Sequence, residues 1–134
     1  MRRYLLDTNT VSHLIKSHPL VIKRITQVPM ASLCISAITE GELLFGIAKR
    51  PEATRLHVVV REFLQRVDVL PWNSADRYGV TRADFESRGK PLAPLDLLIA
   101  AHALSAGAVL VTNAYAFAFV PELEIEDWTV DIAR

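Results

Sequence analysis

The chain has 134 residues, of which 51% are hydrophobic, and its fifteen basic and fifteen acidic side chains cancel. That length suits one domain spanning 1–134, and that apolar content supplies a core and excludes a disordered chain. Zero net charge argues against coating nucleic acid by bulk electrostatics, but leaves room for a local basic rim around an acidic pocket.

The pattern then reads as alternating strands and helices. Tyr4-Leu5-Leu6 runs into Asp7-Thr8-Asn9. A short apolar run bounded by turn formers reads as a strand buried on both faces. Asp7 or Thr8 can cap a helix to about Lys16, which Ser17-His18-Pro19 breaks. A second helix runs to about Gln27 and Pro29 ends it. Leu33 to Ser36 is a second strand, and Ser36 caps a helix from Ala37 to about Lys49. Leu56, Val59, Val60, Phe63, Leu64 and Val67 have the spacing of an amphipathic helix. Val67 to Leu70 is a third strand. Ser74 caps a helix to about Arg88, with Gly89 as its stop. Pro91 and Pro94 bracket the start of a helix that carries Asp96 in its first turn and ends at Gly107. Ala108 to Val111 is a fourth strand leading to Thr112-Asn113. A helical turn comes next, then an edge strand from Leu123 to Glu126. Strands alternating with helices predict a three-layer α/β/α fold on a mostly parallel sheet.

The only cysteine, Cys34, excludes an internal disulfide and reads as a small buried hydrophobe, in keeping with a reducing compartment. Asp7 ends the apolar stretch after Arg2-Arg3 too early for a signal-peptide core. Leu97 to Ala101 is too short to span a bilayer. A soluble, cytoplasmic protein is expected.

Ligand sites in open α/β sheets lie at the carboxyl ends of strands. Two such ends are polar here, Asp7-Thr8-Asn9 and Thr112-Asn113, and adjacent parallel strands would bring them together. Asp96 opens the helix that leads into the second. Glu42 interrupts a helix that is otherwise largely apolar, but helical periodicity does not separate it from Glu40. Each acid also has a plain structural reading: Asp7 as a cap, Asp96 as a complement to the helix dipole, Glu42 as a solvated side chain. The histidines lack metal-ligand spacing such as HExxH, and His102 on its apolar helix reads as a packed or surface residue. No serine has the context of a nucleophile elbow. No glycine-rich phosphate loop comes after the first strand. Trp72 and Trp128 read as packing anchors at strand ends.

Taken together, Y-L-L-D-T-N, I-S-A-I-T-E-G-E-L-L-F-G (Ile35 to Gly46), P-L-D-L-L-I-A-A-H-A (Pro94 to Ala103), Leu110-Val111-Thr112-Asn113 and Glu126-Asp127-Trp128 resemble, in order and spacing, PIN-domain ribonucleases and especially the VapC toxins of type II toxin–antitoxin systems. The resemblance covers essentially the whole chain. It implies an acidic site of Asp7, Glu42 and Asp96, and the E-L-L-F-G match selects Glu42 over Glu40. Thr8, Asn9, Thr112 and Asn113 would support those acids. The chain departs from the family at Ala114, where an aspartate is common, and the next carboxylate is Glu122.

Clustered carboxylates call for a cation, so the resemblance implies Mg²⁺ or Mn²⁺ and metal-assisted hydrolysis of RNA. Arg82, Arg88 and Lys90 are the cations expected to meet RNA. An antitoxin lying in a groove near the site, a homodimer, and a hetero-oligomer with the antitoxin are further implications. The first rival is a PIN-like module that binds RNA or antitoxin without cutting, motivated by Ala114. A receiver-type signalling domain lacks its required aspartate and lysine after the third and a late strand. A DNA nuclease of the same superfamily is a further alternative, disfavoured by the lack of an added module for DNA structures and separable by a substrate panel.

Overall fold

The computed structural model describes residues 2–131. Strands β1 (Tyr4–Leu6), β2 (Leu33–Ser36), β3 (Asp68–Leu70), β4 (Val109–Val111) and β5 (Ile125–Glu126) form one sheet in the order β3-β2-β1-β4-β5. Every pairing is parallel. The connections are α1 (Thr8–Ile15), α2 (Pro19–Gln27), α3 (Ala37–Ala48), α4 (Thr54–Arg66), α5 (Ala75–Ser87) and α6 (Pro94–Ala106), with 3-10 turns at Met30–Ser32 and Tyr115–Phe119. The expected α/β/α architecture is the one observed, and its sheet is parallel throughout.

The sheet is covered on both faces because its strands are apolar at successive positions. Leu5 and Leu6 are both fully buried, and neighbouring strand residues point to opposite faces. Leu5, Cys34 and Leu110 join Phe85 of α5 and Ile99 and Ala100 of α6 in one core. Leu6, Ile35 and Val111 join Val11, Val21, Leu43 and Val60 in the other. Burial pushes the Cys34 thiol upward, so it packs rather than reacts. The amphipathic stretch of α4 buries Val60 and packs Leu56, Phe63 and Leu64 beside it. No helix among the described residues is long and apolar enough to cross a membrane.

Topology places the site. The chain lays down β1, builds outward through β2 and β3, then returns through α5 and α6 to set β4 on the other flank of β1. Strand order therefore reverses between β1 and β4, where open parallel sheets bind ligands. Leu6 pairs with Val111, and the Asp7 N–H donates to the Val111 carbonyl at 3.0 Å.

Helix ends reflect local chemistry. Of the two candidates for the first cap, the chain uses Asp7, and Thr8 is already helical. Ser36 caps α3 by accepting from the Ile38 N–H at 3.0 Å. Gly107 closes α6 at φ 62°, a left-handed conformation that suits glycine. Ser74 departs from expectation. Its backbone sits at ψ 30° rather than in the extended region that capping requires, and its hydroxyl donates to Asn73 Oδ1 instead. The outer strands are also shorter than expected, and β5 keeps only Ile125–Glu126.

Trp128, two residues beyond that short edge strand, anchors it. The side chain is fully buried, packs against Tyr4 at a ring separation of 5.3 Å, and donates its indole N–H to Glu126 Oε1 at 2.9 Å. The Arg24 guanidinium lies over its ring and bonds the same Glu126 oxygen. Truncating Trp128→Ala is expected to lower the unfolding free energy by about 3–5 kcal/mol, read from the urea midpoint.

Candidate active site

Asp7, Glu42 and Asp96 come from three separate segments. Asp7 is 4% exposed at the end of β1. Its Oδ1 accepts from the Thr10 N–H at 2.8 Å, so the plain capping role is real. That role also orients the carboxylate, and the N-terminus of α1 favours its charge. Thr10 is held in turn, its hydroxyl donating to the Val111 carbonyl at 2.9 Å.

Glu42 is fixed from α1. Thr8 donates its hydroxyl proton to Glu42 Oε1 at 2.5 Å, and Thr39 Oγ1 lies 3.2 Å from the same hydroxyl. Thr8 has one proton, so Thr39 is the donor in the longer contact. Glu40 has no hydrogen bond or ion pair among the described residues. The periodicity that could not separate these two acids contains no information about what lies across from α3.

Asp96, in the first turn of α6, reports on the other two. Its carboxyl is held above the ordinary aspartate range, first by burial, then by the charge of Asp7, then by that of Glu42. Three carboxylates from the start of α1, from α3 and from α6 thus share one electrostatic field at the strand reversal.

The neighbouring polar residues divide. Thr8 joins the site directly. Thr112 is buried, and its Oγ1 accepts from the Ala114 N–H at 3.1 Å. The Asn113 amide lies 3.5 Å from His13 Nε2. Asn9 is exposed. No hydrogen bond among the described residues joins these last three to the acids.

Ala114 lines a cavity of about 230 Å³ with Thr112, Asn113, Tyr115 and Asp127. Glu122 lies elsewhere, exposed and 3.8 Å from Arg77. Asp127 is the acid that local reading passed over. The pairing of Val111 with Glu126 sets it beside Thr112, and its Oδ1 accepts from the N–H and hydroxyl of Thr129. Its place in the Glu126-Asp127-Trp128 segment at the end of the last strand was the signal, and the strand register gives it its neighbour.

His102, for which the sequence allows a packed or a surface place, is packed. It is buried on α6, with Nδ1 2.7 Å from Ser36 Oγ. Burial pushes the imidazole below its ordinary range, while a hydrogen bond with the Pro71 carbonyl opposes that shift. A neutral ring satisfies both contacts: Nδ1 accepts from Ser36, and the other nitrogen donates to Pro71. The edge of Trp72 packs against it at 5.5 Å. His102 therefore ties α6, which carries Asp96, to the cap of α3, which carries Glu42.

Of the three expected RNA-binding cations, Arg82 and Arg88 are exposed and ion-paired, and Lys90 is half-buried with no carboxylate partner among the described residues. Arg82 bonds Glu86 and Tyr78. Arg88 bonds Asp84 and the Phe119 carbonyl. The Lys90 ammonium lies 4.1 Å from the Phe119 ring centre.

Known proteins resemble this chain in sequence and in fold. The profile described as "PIN domain" matches residues 4–123. The chain belongs to the PIN domain family. The tRNA(fMet)-specific endonuclease VapC of Salmonella typhimurium is 38% identical to this PIN protein over 131 residues, covering 96% of this chain and 99% of that one. Ribonuclease VapC2 of Haemophilus influenzae (strain Rd) is 36% identical over 132 residues, with 96% and 99% coverage. Among solved structures, DNA-bound VapBC from Salmonella typhimurium superposes with a TM-score of 0.88 at 38% identity, covering 96% of this chain and 99% of that one.

The elevated proton affinity of Asp96 sets a sign. The folded chain holds that proton more tightly than the unfolded chain, so ionising Asp96 above its ordinary value of 3.8 destabilises the fold. Asp96→Asn is expected to raise the melting temperature at neutral pH in chelator-treated buffer. The gain should shrink as the pH falls toward 3.8, measured by circular dichroism.

Proposed function

We propose that this PIN-family chain is a VapC-type ribonuclease toxin that hydrolyses RNA phosphodiester bonds with Asp7, Glu42 and Asp96 and is neutralised by a cognate VapB-like antitoxin. The observation that carries the reading is the near full-length match to VapC endonucleases, in a chain whose Asp7 ends β1 as a fixed cap and whose Glu42 is held across from it by Thr8. The relatives named endonuclease and ribonuclease over nearly the full chain support the reaction class. The VapBC assemblies that share its fold support the partner.

The donor set suits Mg²⁺ or Mn²⁺. It is all carboxylate oxygen, and its mutual repulsion is relieved by a cation. Among the described residues, no three ligating side chains are gathered closely enough to cage an ion. Mg²⁺ is a hard cation that keeps several waters and takes only one or two carboxylates directly. Asp7 and Asp96 would hold it, with Glu42 direct or through water. A bound ion supplies positive charge for the scissile phosphate and makes water more acidic.

The chain's own residues do the rest. Asp7 is held in orientation by its cap to Thr10, which leaves Oδ2 for the pocket. Thr8 holds Glu42 Oε1 and leaves Oε2 to face a ligand or accept a proton. Asp96, half-buried in the first turn of α6, would bring the second direct carboxylate to the ion. Asn113 offers an amide oxygen beside the position where Ala114 supplies no acid. Ala114 also motivates the second reading, a module that binds RNA or antitoxin without cutting.

The deciding measurement is cleavage of total RNA by purified protein with Mg²⁺ or Mn²⁺. Asp7→Asn and Asp96→Asn are each expected to reduce the rate by about 10²–10⁴-fold, and EDTA to abolish cleavage. Equal cleavage by wild type and Asp7→Asn would remove this site from the reaction. RNA binding with no cleavage by any form would establish the binding module.

A further inference from the structure

Carboxylates attract cations but repel a polyanion, so an RNA strand cut at Asp7, Glu42 and Asp96 needs positive partners for its neighbouring phosphates. A groove of about 260 Å³ between α1, α3 and α4 opens at Thr8 and Glu42. Its rim carries Lys16 at the end of α1, and Lys49 and Arg50 just beyond α3. All three are exposed. None is ion-paired to a carboxylate among the described residues, whereas Arg82 and Arg88 are. In a chain of zero net charge, three cations without a carboxylate partner among the described residues therefore line one groove that begins at Glu42.

We propose that this groove is the track for the single-stranded RNA backbone, with Lys16, Lys49 and Arg50 neutralising phosphates next to the one that is cut. The proposal rests on the ribonuclease reading and extends it to how substrate is held. Several separated cations match a repeated anion better than a single anionic group. The groove floor of Ile47, Leu56 and Val60 accepts sugar and base faces that a single strand exposes and a duplex keeps stacked. Phe45 is 64% exposed, with the Lys49 ammonium 5.0 Å from its ring centre, and it adds an aromatic face of the kind on which unpaired bases stack. RNA is favoured over an acidic peptide because the cations lead to the carboxylates, where a phosphate must arrive.

The experiment is equilibrium binding of a fluorescein-labelled single-stranded RNA by Asp7→Asn protein in Mg²⁺ across a salt series. Adding Lys16→Gln, Lys49→Gln and Arg50→Gln is expected to weaken binding at low salt by about tenfold or more. It should reduce the slope of log K against log salt by about 0.7 per lost contact, or about 2 in all. A matched variant, Lys23→Gln, Arg55→Gln and Arg61→Gln, removes three exposed charges outside the groove and should leave the slope unchanged. Lys49→Glu alone repeats the test with a single surface change and should also weaken binding. Equal losses in the two triple variants, or no loss in either, overturn the proposal. Intact RNA binding with lost antitoxin binding also overturns it and gives the groove to an acidic partner. Wild-type protein that binds RNA through these residues but does not cut keeps the track and removes the nuclease, so the two failures are distinguishable.

Discussion

The Val111 carbonyl accepts two hydrogen bonds on which the candidate site rests, one from the Asp7 N–H at 3.0 Å and one from the Thr10 hydroxyl at 2.9 Å. The first extends the pairing of β1 with β4 one residue past the strand. The second pins the opening turn of α1 to the same point. Together they fix where Asp7 stands and which way its carboxylate faces. The joint also lies where strand order reverses, so the connections on either side leave in different directions and open a cleft. Glu42 on α3 and Asp96 on α6 lie close enough to that point for their charges to interact.

Holding three acids there works against stability. Burial and the charges of Asp7 and Glu42 both disfavour ionised Asp96. The surrounding structure resists this with specific polar ties as well as packing. Thr8 bridges α1 to Glu42, and His102 bridges α6 to Ser36 at the cap of α3. A histidine in an otherwise apolar helix face gives up hydrophobic burial, but its two ring nitrogens fix the helix against two different segments. Such ties define a geometry, whereas apolar contacts alone leave neighbouring packings close in energy.

Most of the element order was legible because its signals are local. Apolar runs, capping residues and Gly or Pro stops sit within a few residues of the structure they specify, as at Ser36, Pro94 and Gly107. Sheet order was not legible, because no residue in β4 encodes that it pairs with β1 rather than with β3. Everything that depends on pairing was hidden with it, including Asp127 beside Thr112 and the His102–Ser36 bond. Ser74 shows a failure at shorter range: the right residue type occupies the cap position with the wrong backbone angle. The distinction between Glu40 and Glu42 came from resemblance, since the helical period is blind to what faces a helix. The structure adds the physical difference, which is that Thr8 meets one of them and nothing among the described residues bonds the other.

The joint at Val111 has a consequence for how the protein is made. Thr10 and its carbonyl partner are 101 residues apart. Asp7 leaves the ribosome early, but β4 must emerge and insert beside β1 before Asp7 is held in place. Asp96 likewise arrives only with α6. A nascent chain stopped short of residue 111 therefore carries the acids without the frame that assembles them.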